Sequence, residues 1–233
     1  MWQFIYMYFC KNFVCMAHKA IVVGGSGLIG RLLINILLQS QEYNEIVSLG
    51  RRKIHSKNNR LKQFIIDFDS LDSHADLITG DIVFCCLGST RRKTPDLNEY
   101  RVIDHDYPIK LAEMAHKNGA SQYHLVSAIG ANSGSSNYYT KMKGETEDAI
   151  KAIGLNCLFI YQPSLLTGHR RENRTLERVI IGLMTVINPF LFGPLRKYRS
   201  IPAKTVALAM YKQSLKNKKG VHIYTSDKIA RRT

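Results

Sequence analysis

Three residues of this chain have types and spacings that together could move a proton beside a carbonyl group: Ser127, Tyr139 and Lys143. Tyr139 and Lys143 are four apart, which sets two side chains on one face of a helix. A free phenol titrates near pH 10, too high for useful proton exchange at neutral pH. A neighbouring ammonium favours the phenolate, so Lys143 is expected to lower that value and make Tyr139 a usable acid or base. Ser127 closes the apolar run Tyr123-His124-Leu125-Val126, where its hydroxyl could orient a carbonyl oxygen. Tyr and Lys at this spacing also occur in ordinary helices, and Tyr138 with Met142 is an equally simple packing pair. The reading therefore depends on what surrounds these residues.

The first surrounding element is Ala20-Ile21-Val22-Val23-Gly24-Gly25-Ser26-Gly27-Leu28-Ile29-Gly30. A β-branched run breaks into glycines and then into the helical pattern Leu32, Leu33, Ile36, Leu37. A strand that turns sharply into a helix gathers backbone N–H groups and the positive helix end, a site for the pyrophosphate of a dinucleotide. Gly24 suits the tight turn, Gly27 lets the phosphates approach, and Gly30 lets helix and sheet pack closely. The cofactor is expected to lie across Gly24, Ser26, Gly27, Leu28, Ile29 and Gly30.

Further strands are predicted at Glu45–Leu49, Phe64–Ile66, Ile82–Leu87, Tyr123–Val126, Asn156–Ile160 and Val221–Tyr224. Helices are predicted over Asp106–Lys117, Tyr138–Ile153 and Thr205–Ser214. The strands lack period-two alternation, as parallel strands covered on both faces do. Strand and helix alternate six times, which predicts an α/β fold, a doubly wound parallel sheet of the Rossmann type. Residues 16–163 would form that dinucleotide-binding core, and residues 164–233 a small substrate lobe with elements that return to it. Residues 1–15 read as an extension or a mis-assigned start. Val179–Leu195 carries no charge but contains Pro189 and Pro194; a lobe helix over the cleft is favoured over a membrane contact.

The chain has 233 residues, with 45% hydrophobic and 22% charged, the balance of a soluble globular protein. Its five cysteines form no CxxC pair or Cys/His cluster, so no metal site and no disulfide framework is expected, and the compartment expected is the cytoplasm. Formal net charge is +15, gathered in Arg51–Arg60, Arg91–Lys93, His169–Arg178 and Lys212–Arg232. No nucleic-acid-binding signature accompanies it, so nucleic acid is not expected as a partner. Peripheral contact with an anionic membrane stays open, as does the choice between monomer and homodimer.

Between Glu45 and Asp67 there is no acidic residue, and Arg51 and Arg52 stand at the exit of the second strand. A carboxylate there would hold the ribose 2′-hydroxyl of NAD, whereas guanidinium suits the 2′-phosphate of NADPH. NADPH is therefore the expected cofactor, although solvated loop arginines would look the same.

At this point the chain resembles the short-chain dehydrogenase/reductase superfamily, and within it the atypical, NmrA-like branch that includes Tat-interacting-protein-type oxidoreductases. The residues that carry this resemblance are Gly24–Gly30, Leu49-Gly50-Arg51-Arg52, Cys86–Arg91, Ser127–Ala131, Tyr139–Glu145 and Gln162-Pro163-Ser164. It covers about residues 18–210. The resemblance implies a nicotinamide cofactor and Ser127, Tyr139 and Lys143 as the catalytic set. It adds Asp67 near the adenine, and Leu87, Gly88, Thr90 and Pro163 beside the cofactor, with Tyr139 and Lys143 also touching it. Asp67 is equally accounted for as a turn former. Ala128 stands where relatives often have a second serine, and Gln162 where an arginine is frequent. The expected activity is NADPH-dependent reduction of a small carbonyl compound; the alternative is an NADPH-binding regulator with little or no turnover.

Overall fold

A computed structural model describes residues 18–168 and 188–233. The strands in chain order are β1 (His18–Val23), β2 (Tyr43–Gly50), β3 (Leu61–Ile65), β4 (Ile82–Cys85), β5 (Gln122–Val126), β6 (Cys157–Gln162), β7 (Leu166–Thr167), β8 (Ile201–Pro202) and β9 (Gly220–Thr225). Seven of them form one sheet in the order β3-β2-β1-β4-β5-β6-β9, with every ladder parallel. The order reverses between β1 and β4, and the crevice beyond their carboxyl ends is where such sheets bind ligands.

Every strand crossing needs a cover, and successive side chains feed two cores. Ala20, Val22, Phe84, Phe159 and Tyr161 point to one face, packed by α1 (Leu28–Gln39) and a late helix (Ala203–Ser214). Ile21, Val23, Val83, Cys85 and Leu125 point to the other, beneath Leu111, Ala115 and Ile150. Both faces are buried, which is why the strands read as continuous apolar runs.

The connections depart from strict alternation between β2 and β3. Residues 51–60 cross from β2 to β3 without a helix, since no apolar periodicity supports one there. Arg60 ends that loop with its guanidinium on the carbonyls of Leu38, Ser40 and Tyr43, so one member of the basic cluster closes the end of α1. Strand β3 starts three residues before the expected Phe64 and is half exposed, as an edge strand that among the described residues pairs with β2 alone.

The helix expected from Asp106 is longer and broken. It comprises α2 (Leu97–Arg101), a wide π turn (Val102–Asp106) and α3 (Tyr107–Lys117). Asp96 starts it by accepting from the N–H groups of Asn98 and Glu99, each at 2.8 Å. Pro108 cannot donate to the carbonyl four residues back, that of Asp104. The helix α4 (Tyr138–Ala152) follows β5.

After Pro163 the short β7–β8 ladder stands apart from the main sheet, whereas α5 (Ala203–Ser214) and β9 return to the core and α6 (Ser226–Ala230) ends the chain. Residues 1–15, and the part of the predicted Val179–Leu195 helix before Asn188, lie outside the described residues. Its described end consists of two short 3₁₀ turns, Asn188–Phe190 and Gly193–Tyr198, each with a proline near its start. Among the described residues no helix is long and apolar enough to cross a membrane.

Candidate functional site

The first β–α junction is built as a phosphate turn. Gly24 has φ +80°, and a Cβ there would stand 2.7 Å from the Cys86 carbonyl oxygen, because the ends of β1 and β4 meet at that point. Gly27 N–H donates to Gly24 O at 2.9 Å, and a Cβ on Gly30 would collide with the same carbonyl. Helix α1 therefore leaves the sheet at the closest distance a backbone allows. Gly27 occupies its N-cap with no side-chain cap, and no acidic residue enters the first turn. The N–H groups of that turn and the positive helix end have no side-chain anion of their own. These residues fit a dinucleotide: Gly27 and Ser26 are exposed, Leu28 is half-buried, and Ile29 sends its side chain into the core, leaving only its backbone for a ligand.

Arg51 and Arg52 are exposed at the exit of β2, and neither forms an ion pair among the described residues. Asp67 is exposed and caps the 3₁₀ segment Phe68–Leu77 by accepting from Asp69 N–H at 3.1 Å, so the turn-forming account of this residue is met. Leu87 and Thr90 are half-buried and Gly88 exposed along the loop after β4; the carbonyl of Thr90 accepts from Lys93 and Thr94. Pro163 is buried, its carbonyl accepting from Ile129 N–H at 3.0 Å.

Helix α4 presents Tyr139, Lys143 and Glu147 at i, i+4 and i+8 on one face. Asn137 starts it by accepting from the N–H groups of Tyr139 and Thr140. At Gly144 a Cβ would overlap the Asn132–Ser133 backbone, so only glycine lets α4 approach the loop that follows β5.

Lys143 is buried and its Nζ lies 2.7 Å from Asp104 Oδ1, with both side chains enclosed. The Asp104 carbonyl, which Pro108 cannot serve, accepts from Thr146 Oγ1 at 3.4 Å and from Lys143 Nζ at 3.5 Å. Ser89 N–H donates to the other carboxylate oxygen at 2.6 Å, which ties the loop after β4 to the same group. Burial alone would depress the Lys143 ammonium, but Asp104 and Tyr139 outweigh it and its pKa is raised. Tyr139 is 37% exposed and stacks on Tyr100 at 6.4 Å. Burial lifts its phenol, Lys143 acts the other way and Asp104 adds to the rise, leaving the pKa above its ordinary value. The expected lowering by Lys143 is thus outweighed, chiefly by burial and further by the Asp104 carboxylate.

Ser127 is buried at the end of β5, and its hydroxyl donates to Glu147 Oε1 at 2.5 Å. Gln162 Nε2 donates to both oxygens of the same carboxylate. The structure thus brings Tyr139 and Lys143 together around Asp104, and ties Ser127 to the next turn of the same helix face. Asp104, Glu147 and Thr146 were not singled out in the sequence. The signals for the first two were Pro108 four residues after Asp104 and the continuation of the Tyr139, Lys143 spacing to Glu147.

A singly reversed parallel sheet with a glycine turn at its first β–α junction defines a Rossmann-type dinucleotide-binding protein. A family model described as NAD(P)H-binding matches residues 24–183, and the chain belongs to that family. Protein HTATIP2 of Rattus norvegicus is 35% identical over 171 residues, covering 72% of this chain and 70% of that protein. The mitochondrial protein FMP52 of Coccidioides immitis is 32% identical over 220 residues, covering 88% of each. Among solved structures, MoeE5 in complex with UDP-glucuronic acid and NAD superposes with a TM-score of 0.68 at 16% identity, covering 89% of this chain and 76% of that one. WbmH of Bordetella bronchiseptica in complex with NAD+ gives 0.67 at 13% identity, with 89% and 76% covered. At such identities these two likenesses speak for the fold.

Proposed function

We propose that this protein is an NADPH-dependent oxidoreductase that reduces a small carbonyl compound. What supports the reading is Tyr139 and Lys143 on one face of α4, with Lys143 paired to Asp104, whose carboxylate also holds Ser89 N–H on the loop after β4. Burial keeps the Tyr139 phenol protonated at neutral pH, so it can give a proton to a carbonyl oxygen, although as a weaker acid than its spacing from Lys143 promised. Lys143 compensates the charge that this leaves on Tyr139 and binds the cofactor ribose; Ser127 meets the substrate oxygen. Gly24–Gly30 and the first turn of α1 hold the pyrophosphate, Arg51 and Arg52 take the 2′-phosphate, and Asp67, Leu87, Gly88, Thr90 and Pro163 border the rest. When bound, NADPH supplies the hydride. Residues 164–233 supply the substrate side of the cleft.

A second reading, a cofactor-sensing regulator with little turnover, draws support from the Lys143–Asp104 pair, which engages the ammonium internally. NADPH oxidation against a panel of aldehydes and ketones separates the two. Turnover that Tyr139→Phe abolishes is expected; tight NADPH binding with no turnover across the panel overturns the reductase in favour of the sensor. The three described cysteines are free, two of them buried, which suits a reducing compartment. The cytoplasm is our assignment, and because the fungal relatives are named as mitochondrial, fractionation of cells carrying a tagged full chain tests it.

A further inference from the structure

Glu147 is a buried carboxylate to which the chemistry above gives no task. It stands one turn beyond Lys143 on the face of α4 that carries Tyr139. Just past β5 it meets the Ser127 hydroxyl at 2.5 Å, and from β6 the Gln162 amide at 2.9 and 3.0 Å. Its charged neighbours are Lys151 on its own helix, with Nζ 3.7 Å from Oε2, and the adjoining Asp148. Burial pushes the Glu147 carboxyl upward; the hydrogen bonds from Ser127 and Gln162 and the charge of Lys151 only partly offset this.

A serine hydroxyl has one proton. When Glu147 is ionised, that proton lies on the Ser127–Glu147 bond. Ser127 Oγ then offers only lone pairs to the crevice; it accepts from an alcohol and has nothing to give a carbonyl. When Glu147 is protonated, its own O–H donates to Ser127 Oγ, and the serine proton is free for a carbonyl oxygen. We propose that Glu147 is a positioning residue that sets the hydrogen-bond polarity of Ser127, and through it whether the site takes a carbonyl or an alcohol. The acid form holds a carbonyl ready for hydride transfer, and the same form carries the reverse step; the carboxylate form holds an alcohol but must regain its proton before transfer. The proton stays within the Glu147–Ser127 pair throughout, while the one delivered to product comes from Tyr139. The inference rests on the oxidoreductase reading.

Two measurements on the full chain test it. Infrared spectra recorded through a pH titration are expected to show a carboxylic-acid carbonyl band that persists above the ordinary carboxyl range. The band should vanish in Glu147→Gln and shift in Ser127→Ala, the second variant keeping the test alive if the first folds poorly. A band indifferent to both changes overturns the proposal. In parallel, NADPH oxidation with 9,10-phenanthrenequinone is expected to fall by about tenfold per pH unit above the Glu147 pKa. Glu147→Gln, whose amide does not titrate in this range, should lose that limb. A limb that survives in Glu147→Gln sinks the idea. If the wild-type protein turns nothing over, the oxidoreductase reading fails, and the infrared bands still decide the pairing of Glu147 with Ser127.

Discussion

Lys143 and Asp104 face each other at 2.7 Å with almost no solvent around either, one from α4 and the other from the π turn that precedes α3. Two charges in such a place are tolerable only together. Removing one partner, as in Asp104→Leu, is expected to destabilise the fold by about 3–5 kcal/mol, because the ammonium is left buried and alone. The double variant Lys143→Met/Asp104→Leu should recover most of that loss. Urea unfolding of the four proteins measures the coupling, and additive losses would mean that the pair is not the unit described.

The glycine turn makes a sharper demand. A single methyl on Gly30 meets the Gly24 carbonyl, so Gly30→Ala must push α1 away from the turn. NADPH affinity is expected to fall by at least about tenfold, roughly 1.4 kcal/mol, in titration calorimetry. Unchanged affinity in a folded variant would place the dinucleotide elsewhere.

Cofactor choice should reside in Arg51 and Arg52. A guanidinium on a phosphate contributes about 1.5–3 kcal/mol. The double change Arg51→Glu/Arg52→Glu should therefore reduce the preference for NADPH over NADH by about tenfold or more, read as the ratio of their dissociation constants. An unaltered ratio would make these arginines solvated loop residues.

Acid sensitivity should arise at His124. It is wholly buried between Gln122 Oε1 at 3.0 Å and Tyr161 OH at 3.1 Å, with Phe159 stacked on its ring. Burial pushes its pKa down to about 3 from an ordinary 6.5. The unfolded chain takes up the proton first, so stability is full above about pH 6.5 and is lost as pH falls toward about 3. The slope from this group is about 1.4 kcal/mol per pH unit. Denaturation midpoints followed down this range should fall less steeply in His124→Gln than in the wild type.

Beyond β7 the chain shows Phe190 and Phe192 at 70% and 71% exposure, beside the exposed Arg196 and Lys197. Aromatic tips next to cations suit the interface of an anionic membrane. Co-sedimentation with phosphatidylserine vesicles at low salt tests the peripheral contact that the sequence left open; where it occurs, Phe190→Ser/Phe192→Ser should weaken it by about tenfold. A protein that stays in the supernatant has no such contact.

Much of the fold could be read from local pattern, because the interactions that create it are local. Ala20–Val23 followed by Gly24 could only be a buried strand entering a tight turn, and Gly27 and Gly30 implied a helix pressed against it. The Tyr139, Lys143 spacing put both side chains on one helix face before any tertiary contact was known. The boundary of β3 and the helix-free crossing over residues 51–60 were less legible. An edge strand half open to water carries little apolar signal, and the guanidinium of Arg60 finds its carbonyls only once α1 and β2 lie side by side.

The amino-acid order by itself determined the parallel sheet, the glycine-lined turn and the face of α4, since each follows from periodicity and backbone freedom within a few residues. Tertiary structure alone decided the electrostatics of that face. Asp104 is 39 residues from Lys143 and Ser127 is 20 from Glu147. Burial and charge act through space, so whether the ammonium serves the phenol or an enclosed carboxylate was settled only when these segments met.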